Sequence, residues 1–391
     1  MSTVDDETFA EVVEQVRTFV LKDVVPRERE IADTDAIPDD LRRTAAGMGL
    51  FGYAIPAEYG GLGLHIAQDV ELAFVFGYTA LSFRSLFGTN NGIAGQVLVG
   101  YGTEEQKQTW LPKLASGDCV ASFALTEPEA GSDPSGMRST ARKVDGGWVI
   151  NGNKRFITNA PLAGLFVVFA KVMPDEGKKP RIAVFLVPAG TPGLAVGPKD
   201  KKMGQEGAST SELTFTDVRV GDDALISGDV DTGFRAAMSV LARGRVHISA
   251  LAVGLAERAL EESVRYAADN RQGGVPIGDQ QLVQAMLAEQ KSLVMAGKAM
   301  VRETARRYLS GEDRRLAPSA TKLFCTEMAG RVADLAVQVH GGSGYMREMP
   351  VERIYRDARL LRLYEGTSEI QKLIVGRELV RRVRAGESVL D

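Results

Sequence analysis

Val120-Ala121-Ser122-Phe123-Ala124-Leu125-Thr126-Glu127 interrupts the hydrophobic rhythm of this chain. The residues before it repeat at helical spacing, whereas this octet is rich in Val, Phe and Thr and stops at Pro128, as a buried strand does. Leu165 to Val172, Arg181 to Pro188 and Ser211 to Val220 have the same character, bounded by Gly, Pro and Asp. Asp145-Gly146-Gly147 and Asn151-Gly152 flank Trp148-Val149-Ile150 as hairpin turns flank a short strand. A small β unit is expected from these segments.

Working outward, the period is helical on both sides. Phe9, Val12, Val13, Val16, Phe19 and Val20 mark one helix face before Pro26 interrupts it. Helical spacing returns through Asp40 to Met48 and Ala67 to Tyr78, with Tyr59-Gly60-Gly61-Leu62-Gly63 as the turn between. Beyond Gly233, Ile248, Leu251 and Leu255, then Val283, Met286, Leu287, Val294 and Val301, stripe long helices. A bundle core explains the stripes, and a subunit interface would give the same period. The expected class is α+β: an N-terminal helical domain over 1–118, a middle β-sheet or small β-barrel domain over 119–228, and a C-terminal four-helix bundle domain over 229–391.

A chain of 391 residues exceeds one ordinary core. Its 47 Lys and Arg against 51 Asp and Glu, with no basic tract, favour neither nucleic acid nor an anionic membrane surface. The acidic start Met1-Ser2-Thr3-Val4-Asp5-Asp6-Glu7 lacks signal-peptide character, and no apolar run reaches membrane-spanning length. Cys119 and Cys325 share no motif spacing, so a reducing, cytoplasmic location is expected. His65, His247 and His340 lack ligand spacing, so no metal site is expected and redox chemistry would fall to an organic cofactor.

Chemistry concentrates in Arg362-Leu363-Tyr364-Glu365-Gly366-Thr367-Ser368-Glu369-Ile370-Gln371. Glu365 stands between an aromatic ring and a glycine, where backbone can approach a ligand closely, and reads as a positioned base. This segment resembles the catalytic segment of acyl-CoA dehydrogenases. Ala124-Leu125-Thr126-Glu127-Pro128-Glu129-Ala130-Gly131-Ser132-Asp133 is similar to the family loop that lines the flavin ring. Asn151-Gly152-Asn153-Lys154-Arg155-Phe156-Ile157-Thr158-Asn159 is similar to the stretch beside its dimethylbenzene side. Val337-Gln338-Val339-His340-Gly341-Gly342-Ser343-Gly344-Tyr345 is similar to the stretch that meets the adenine half of FAD bound mainly by the neighbouring subunit. The motifs stand in family order along nearly the whole chain.

The resemblance implies an FAD enzyme that oxidises an acyl-CoA thioester to its trans-2-enoyl-CoA. Glu365 would take the α proton, flavin N5 the β hydride, and electron-transfer flavoprotein the electrons. It implies FAD contacts at Phe123, Leu125, Thr126, Ser132, Phe156, Ile157, Thr158, Arg271, Gln281, Gln338, Val339, His340, Gly341, Gly342, Thr367 and Glu369. Substrate contacts are implied at Ser132, Arg245, Tyr364 and Gly366, in a homotetramer built as a dimer of dimers.

Several positions depart from the family pattern, among them Gly273 for a usual phenylalanine, Ala242 for a usual acidic residue and Glu369 where some relatives carry glutamine. Phe156 stands where many members carry tryptophan, keeping a stackable face without the indole donor. Asn270 stands where an arginine usually reaches the FAD pyrophosphate; Arg271 is next along, about 100° around if the segment is helical. That shift leaves open a hetero-oligomer, in which the chain pairs with a different one, beside the homotetramer. Gly244 occupies the place where some relatives carry the catalytic glutamate, which returns that role to Glu365. A flavoprotein oxidase or monooxygenase on the same fold and a non-catalytic partner subunit are the rival readings. Acyl-chain length depends on the pocket near the helix containing Ser85, Thr89 and Asn90.

Overall fold

In the computed structural model, which describes residues 4–173 and 180–389, the first helical face becomes α1 (Asp6–Phe19). The Asp5 side chain starts it by accepting from the Thr8 N–H at 2.8 Å. There follow α2 (Glu28–Thr34), α3 (Asp39–Gly47), α4 (Ile66–Gly77), α5 (Leu81–Asn91), α6 (Ile93–Tyr101) and α7 (Glu104–Ser116). Helix α5 is buried nearly all round, through Leu81, Phe83, Leu86, Phe87, Asn90 and Asn91. A helix enclosed in this way shows no amphipathic stripe, so its limits were not readable from periodicity.

The middle of the chain forms β1 (Ala121–Ala124), β2 (Thr140–Val144), β3 (Gly147–Thr158), β4 (Leu165–Val172), β5 (Arg181–Pro188), β6 (Leu194–Val196) and β7 (Thr210–Gly221). They make one sheet in the order β1-β4-β2-β3-β7-β6, with β5 also paired to β4. β4 runs parallel to β1 and β2, and the remaining pairs are antiparallel.

Two strand expectations need correction. β3 does not end at Asn151-Gly152 but continues to Thr158, with register shifts between Ile150 and Gly152 and between Lys154 and Ile157. Asn151 is pinned to the neighbouring strand, accepting from the Asp217 N–H at 2.8 Å and donating to Asp217 Oδ1 at 3.0 Å. A Cβ on Gly152 would lie 2.2 Å from Ser139 Oγ, so the glycine serves an irregularity inside the strand rather than a turn. β1 is shorter than expected because Leu125 and Thr126 leave the sheet. Their carbonyls instead accept from Lys154 Nζ at 3.2 Å and from the Arg155 N–H at 2.9 Å.

The C-terminal unit contains α8 (Thr232–Asp269), α9 (Gln281–Ser310), α10 (Leu316–His340), α11 (Pro350–Leu361) and α12 (Ser368–Arg384). Helices α4 and α8 cross at bare backbone: a Cβ on Gly254 would lie 2.1 Å from the Phe74 carbonyl oxygen, and one on Gly77 2.3 Å from that of Leu251. One hydrophobic core therefore joins the two helical units, with Phe19, Phe76 and Phe83 in the same cluster as Val246, Leu251 and Ala333. The sheet packs beside it on its own apolar clusters, one shared with α6 and α7.

Candidate active site

Glu365 lies in the turn between α11 and α12 with φ +54°, followed by Gly366 at +93°. A non-glycine residue held there costs on the order of 1–3 kcal/mol, so the surroundings must impose it. Lys322 of α10, fully buried, donates from Nζ to the carbonyls of Tyr364 at 3.0 Å and Gly366 at 2.7 Å. Gln371 of α12 donates to the carbonyls of Glu365 at 3.3 Å and Gly366 at 3.0 Å. The Thr367 side chain caps α12 by accepting from the Ile370 N–H at 3.4 Å. With these carbonyls drawn into the protein, the Glu365 N–H donates to no protein acceptor among the described residues.

The Glu365 carboxylate rests against α8 at Gly244. A Cβ there would lie 2.1 Å from Oε2, so the glycine that rules out a base on α8 also makes room for the base opposite. Oε2 is buried without a hydrogen-bond partner among the described residues. Burial raises the proton affinity of Glu365, and the positive charges of Arg84, Lys322 and Arg245 oppose that rise. Lys322 itself is pushed down to about 8 by burial, with Glu365 resisting.

This carboxylate opens on a cavity of about 280 Å³. Phe123, Leu125, Thr126 and Ser132 line it from the end of β1 and the following loop, and Phe156, Ile157 and Thr158 from β3. Arg245, Tyr364 and Gly366 line it on the helical side, so these sequence-predicted residues meet Glu365 in one place. Phe156 is 63% exposed with φ +58°, its ring 4.8 Å from the Arg155 guanidinium carbon. Arg245 is only 8% exposed; Nη1 reaches Ser319 Oγ at 3.4 Å while Nε has no partner among the described residues.

The other expected cofactor residues lie elsewhere. Arg271, Gln281, Val339, His340 and Gly341 line a separate, more open cleft of about 710 Å³. Gln338 and Gly342 are exposed beside residues of that cleft, and Glu369 is exposed in the first turn of α12. Arg271 needs a correction: α8 ends at Asp269 and Asn270 is extended, so Arg271 is displaced along a short strand rather than around a helix. Its Nη1 donates to the Gly274 carbonyl at 3.0 Å. His340 packs its ring 4.1 Å from that of Tyr266 and uses Nδ1 toward the Ala336 carbonyl at 2.8 Å.

Sequence reasoning missed Lys322, Arg84, His247 and Asp69. Lys322 left a signal, since it interrupts the apolar stripe Cys325, Ala329 and Val332 of α10, where a lysine needs a buried partner. Asp69 and His247 lie on α4 and α8, and only the packing of those helices brings them together.

Models of the acyl-CoA dehydrogenase N-terminal, middle and C-terminal domains match residues 6–118, 122–218 and 231–380. The chain belongs to the acyl-CoA dehydrogenase family. It is 37% identical over 365 residues to an acyl-CoA dehydrogenase of Bacillus subtilis, covering 93% of this chain and 96% of that one. The solved butyryl-CoA dehydrogenase of Megasphaera elsdenii superposes with TM-score 0.91 at 31% identity, covering 97% of this chain and all of that one. An acyl-CoA dehydrogenase from Bacillus anthracis, solved complexed with FAD, gives TM-score 0.90 at 32% identity over 98% of this chain and 68% of the other.

Proposed function

We propose that this chain catalyses FAD-dependent α,β-dehydrogenation of an acyl-CoA thioester to the trans-2-enoyl-CoA, with Glu365 as general base. The observation that carries the reading is the Glu365 carboxylate, its Oε2 without a hydrogen-bond partner among the described residues, facing across one cavity the wall formed by Phe123, Leu125, Thr126, Ser132 and Phe156 to Thr158.

The residues present fit a flavin on that wall. Phe156 offers an exposed ring, Phe123, Leu125 and Ile157 an apolar surface, and Thr126, Ser132 and Thr158 hydroxyls for the polar edge. The second cleft, with Arg271, Gln281, Val339, His340 and Gly341 and flanked by Gln338 and Gly342, suits the far half of a dinucleotide bound by a neighbouring copy. Thr367 and Glu369 stand at the N-terminus of α12, an end that favours a pyrophosphate. Sharing of this kind supports a homotetramer built as a dimer of dimers; a hetero-oligomer would place another chain across the second cleft. When bound, FAD supplies the hydride acceptor and passes the electrons on, here to electron-transfer flavoprotein.

Glu365 takes the α proton. Its burial makes it the stronger base, and the positive charges of Arg84, Lys322 and Arg245 oppose that rise in proton affinity. The free Glu365 N–H donates to the thioester oxygen and stabilises the charge that develops there. Ser132, Arg245, Tyr364 and Gly366 shape the thioester and acyl contacts. The units divide at 118/119 and 228/229, and the protein works in the cytoplasm.

The test is Glu365→Gln: the variant should retain FAD and bind acyl-CoA yet lose roughly two to four powers of ten in turnover. Anaerobic flavin bleaching by acyl-CoA in the wild type, absent in the variant, is the direct readout. Turnover in the variant equal to wild type would overturn the assignment.

A further inference from the structure

Beside Glu365, a run of polar side chains crosses the cavity wall. Arg243 Nη1 pairs with Asp69 Oδ2 at 2.8 Å, Asp69 Oδ1 meets His247 Nδ1 at 2.7 Å, and Arg84 Nε donates to His247 Nε2 at 2.8 Å. Arginine has only donors, so Nε2 must accept and the proton sits on Nδ1, donated to Asp69. Burial and the adjacent Arg84 charge push His247 down to about 4, so the imidazole is neutral at ordinary pH. Asp69 is then balanced by Arg243, His247 contributes no charge, and Arg84 is left as a cation without a carboxylate in hydrogen-bond reach among the described residues.

The placement of Arg84 is as specific as its charge. Nη1 and Nη2 donate to no protein acceptor among the described residues, and the side chain lies over Gly88 of its own helix. A Cβ on Gly88 would lie 2.7 Å from Cζ and 2.9 Å from Nη1, so the glycine leaves the floor on which the guanidinium rests. Arg84, Gly88 and Thr89 all face the cavity that holds Glu365. A plain alkyl chain laid along this wall would desolvate a cation and return no hydrogen bond. A carboxylate matches the planar guanidinium fork with two donors at once.

We propose that Arg84 is a specificity-determining residue that receives a carboxylate carried on the acyl chain, so that the preferred substrates are thioesters of dicarboxylic acids. Asp69 and His247 are its positioning residues, since they fix Nε and leave the terminal nitrogens for the ligand. This inference rests on the Glu365 reading above.

The experiment compares kcat/KM of the FAD-loaded wild type for glutaryl-, adipyl- and pimelyl-CoA with valeryl-, hexanoyl- and heptanoyl-CoA, matched by carbon number. At the fitting length, the carboxylated thioester should be favoured on the order of ten- to a hundredfold. Arg84→Gln should abolish that ratio through KM for the carboxylated member, Arg84→Lys should restore part of it, and His247→Gln should lower it by a smaller factor. Equilibrium binding of the same pairs to the Glu365→Gln holoprotein should show the same preference without turnover. A wild type that favours the plain thioester at every length overturns the proposal and leaves the dehydrogenase reading standing. So does an Arg84→Gln loss shared equally by both series, which would make Arg84 a modulator of Glu365 alone. Flavin bleached by none of the thioesters would overturn the dehydrogenase reading itself.

Discussion

The two clefts of this chain differ in how complete they are. The Glu365 cavity is assembled from α5, β1, β3, α8 and the turn before α12, and it buries Glu365 Oε2 and Arg245 Nε without hydrogen-bond partners among the described residues. The second cleft draws on the end of α8, the start of α9 and the end of α10, and Arg271, Gln281 and Gln338 in or beside it are exposed. Unpartnered buried atoms are costly unless a ligand or reaction uses them. The first cleft thus holds buried polar atoms free to meet a ligand, whereas the second is an open surface.

The sharpest way to break this contrast after removing Glu365 itself is Gly244→Ala. Its methyl would displace the carboxylate, and about a hundredfold loss in kcat/KM is expected with FAD content maintained, measured by steady-state dye reduction. Retained activity would mean that the base does not occupy this position when it acts. A smaller effect is expected from Arg271→Ala in the second cleft. FAD affinity should fall about tenfold, as for one lost charge-assisted contact, with dissociation steeper at high salt; equilibrium dialysis reads both. An equal loss at saturating FAD would erase the division between the clefts.

The smallest effect concerns the support of the first cleft. Asp357, buried on α11, accepts from the backbone N–H of Gln205, which lines the cavity. Burial pushes its carboxyl up to about 7 from an ordinary value of 3.8. The folded protein then holds a proton that the unfolded chain releases, so this residue's contribution to stability is present below pH 4 and falls as pH rises toward 7. Asp357→Asn should flatten that slope, by up to about 1.4 kcal/mol per pH unit, in denaturant titrations compared with wild type.

Much of the fold was legible because burial on one face leaves a period. The strands at Leu165–Val172 and Arg181–Pro188 stand where their composition put them, whereas β3 ran past Asn151-Gly152 because Asp217 and Ser139 on neighbouring segments held the irregularity in place. Glu365 was legible for a related reason, being set in a local motif. Arg84 and His247 were not, since they lie 163 residues apart and a hydrogen bond between them leaves no trace in spacing.

By itself, the sequence determined the order of helical, β and helical units, the candidate base and the exclusion of Gly244 from that role, because periodicity, turn chemistry and short motifs act over a few neighbouring residues. Tertiary structure alone decided that Gly244 faces Glu365, that Lys322 turns the carbonyls flanking Glu365 inward, and that Arg84 stands in the same cavity with no carboxylate in hydrogen-bond reach among the described residues. Those facts depend on distances across packed helices, where a side chain's charge and a missing methyl group act over a few ångströms regardless of separation along the chain.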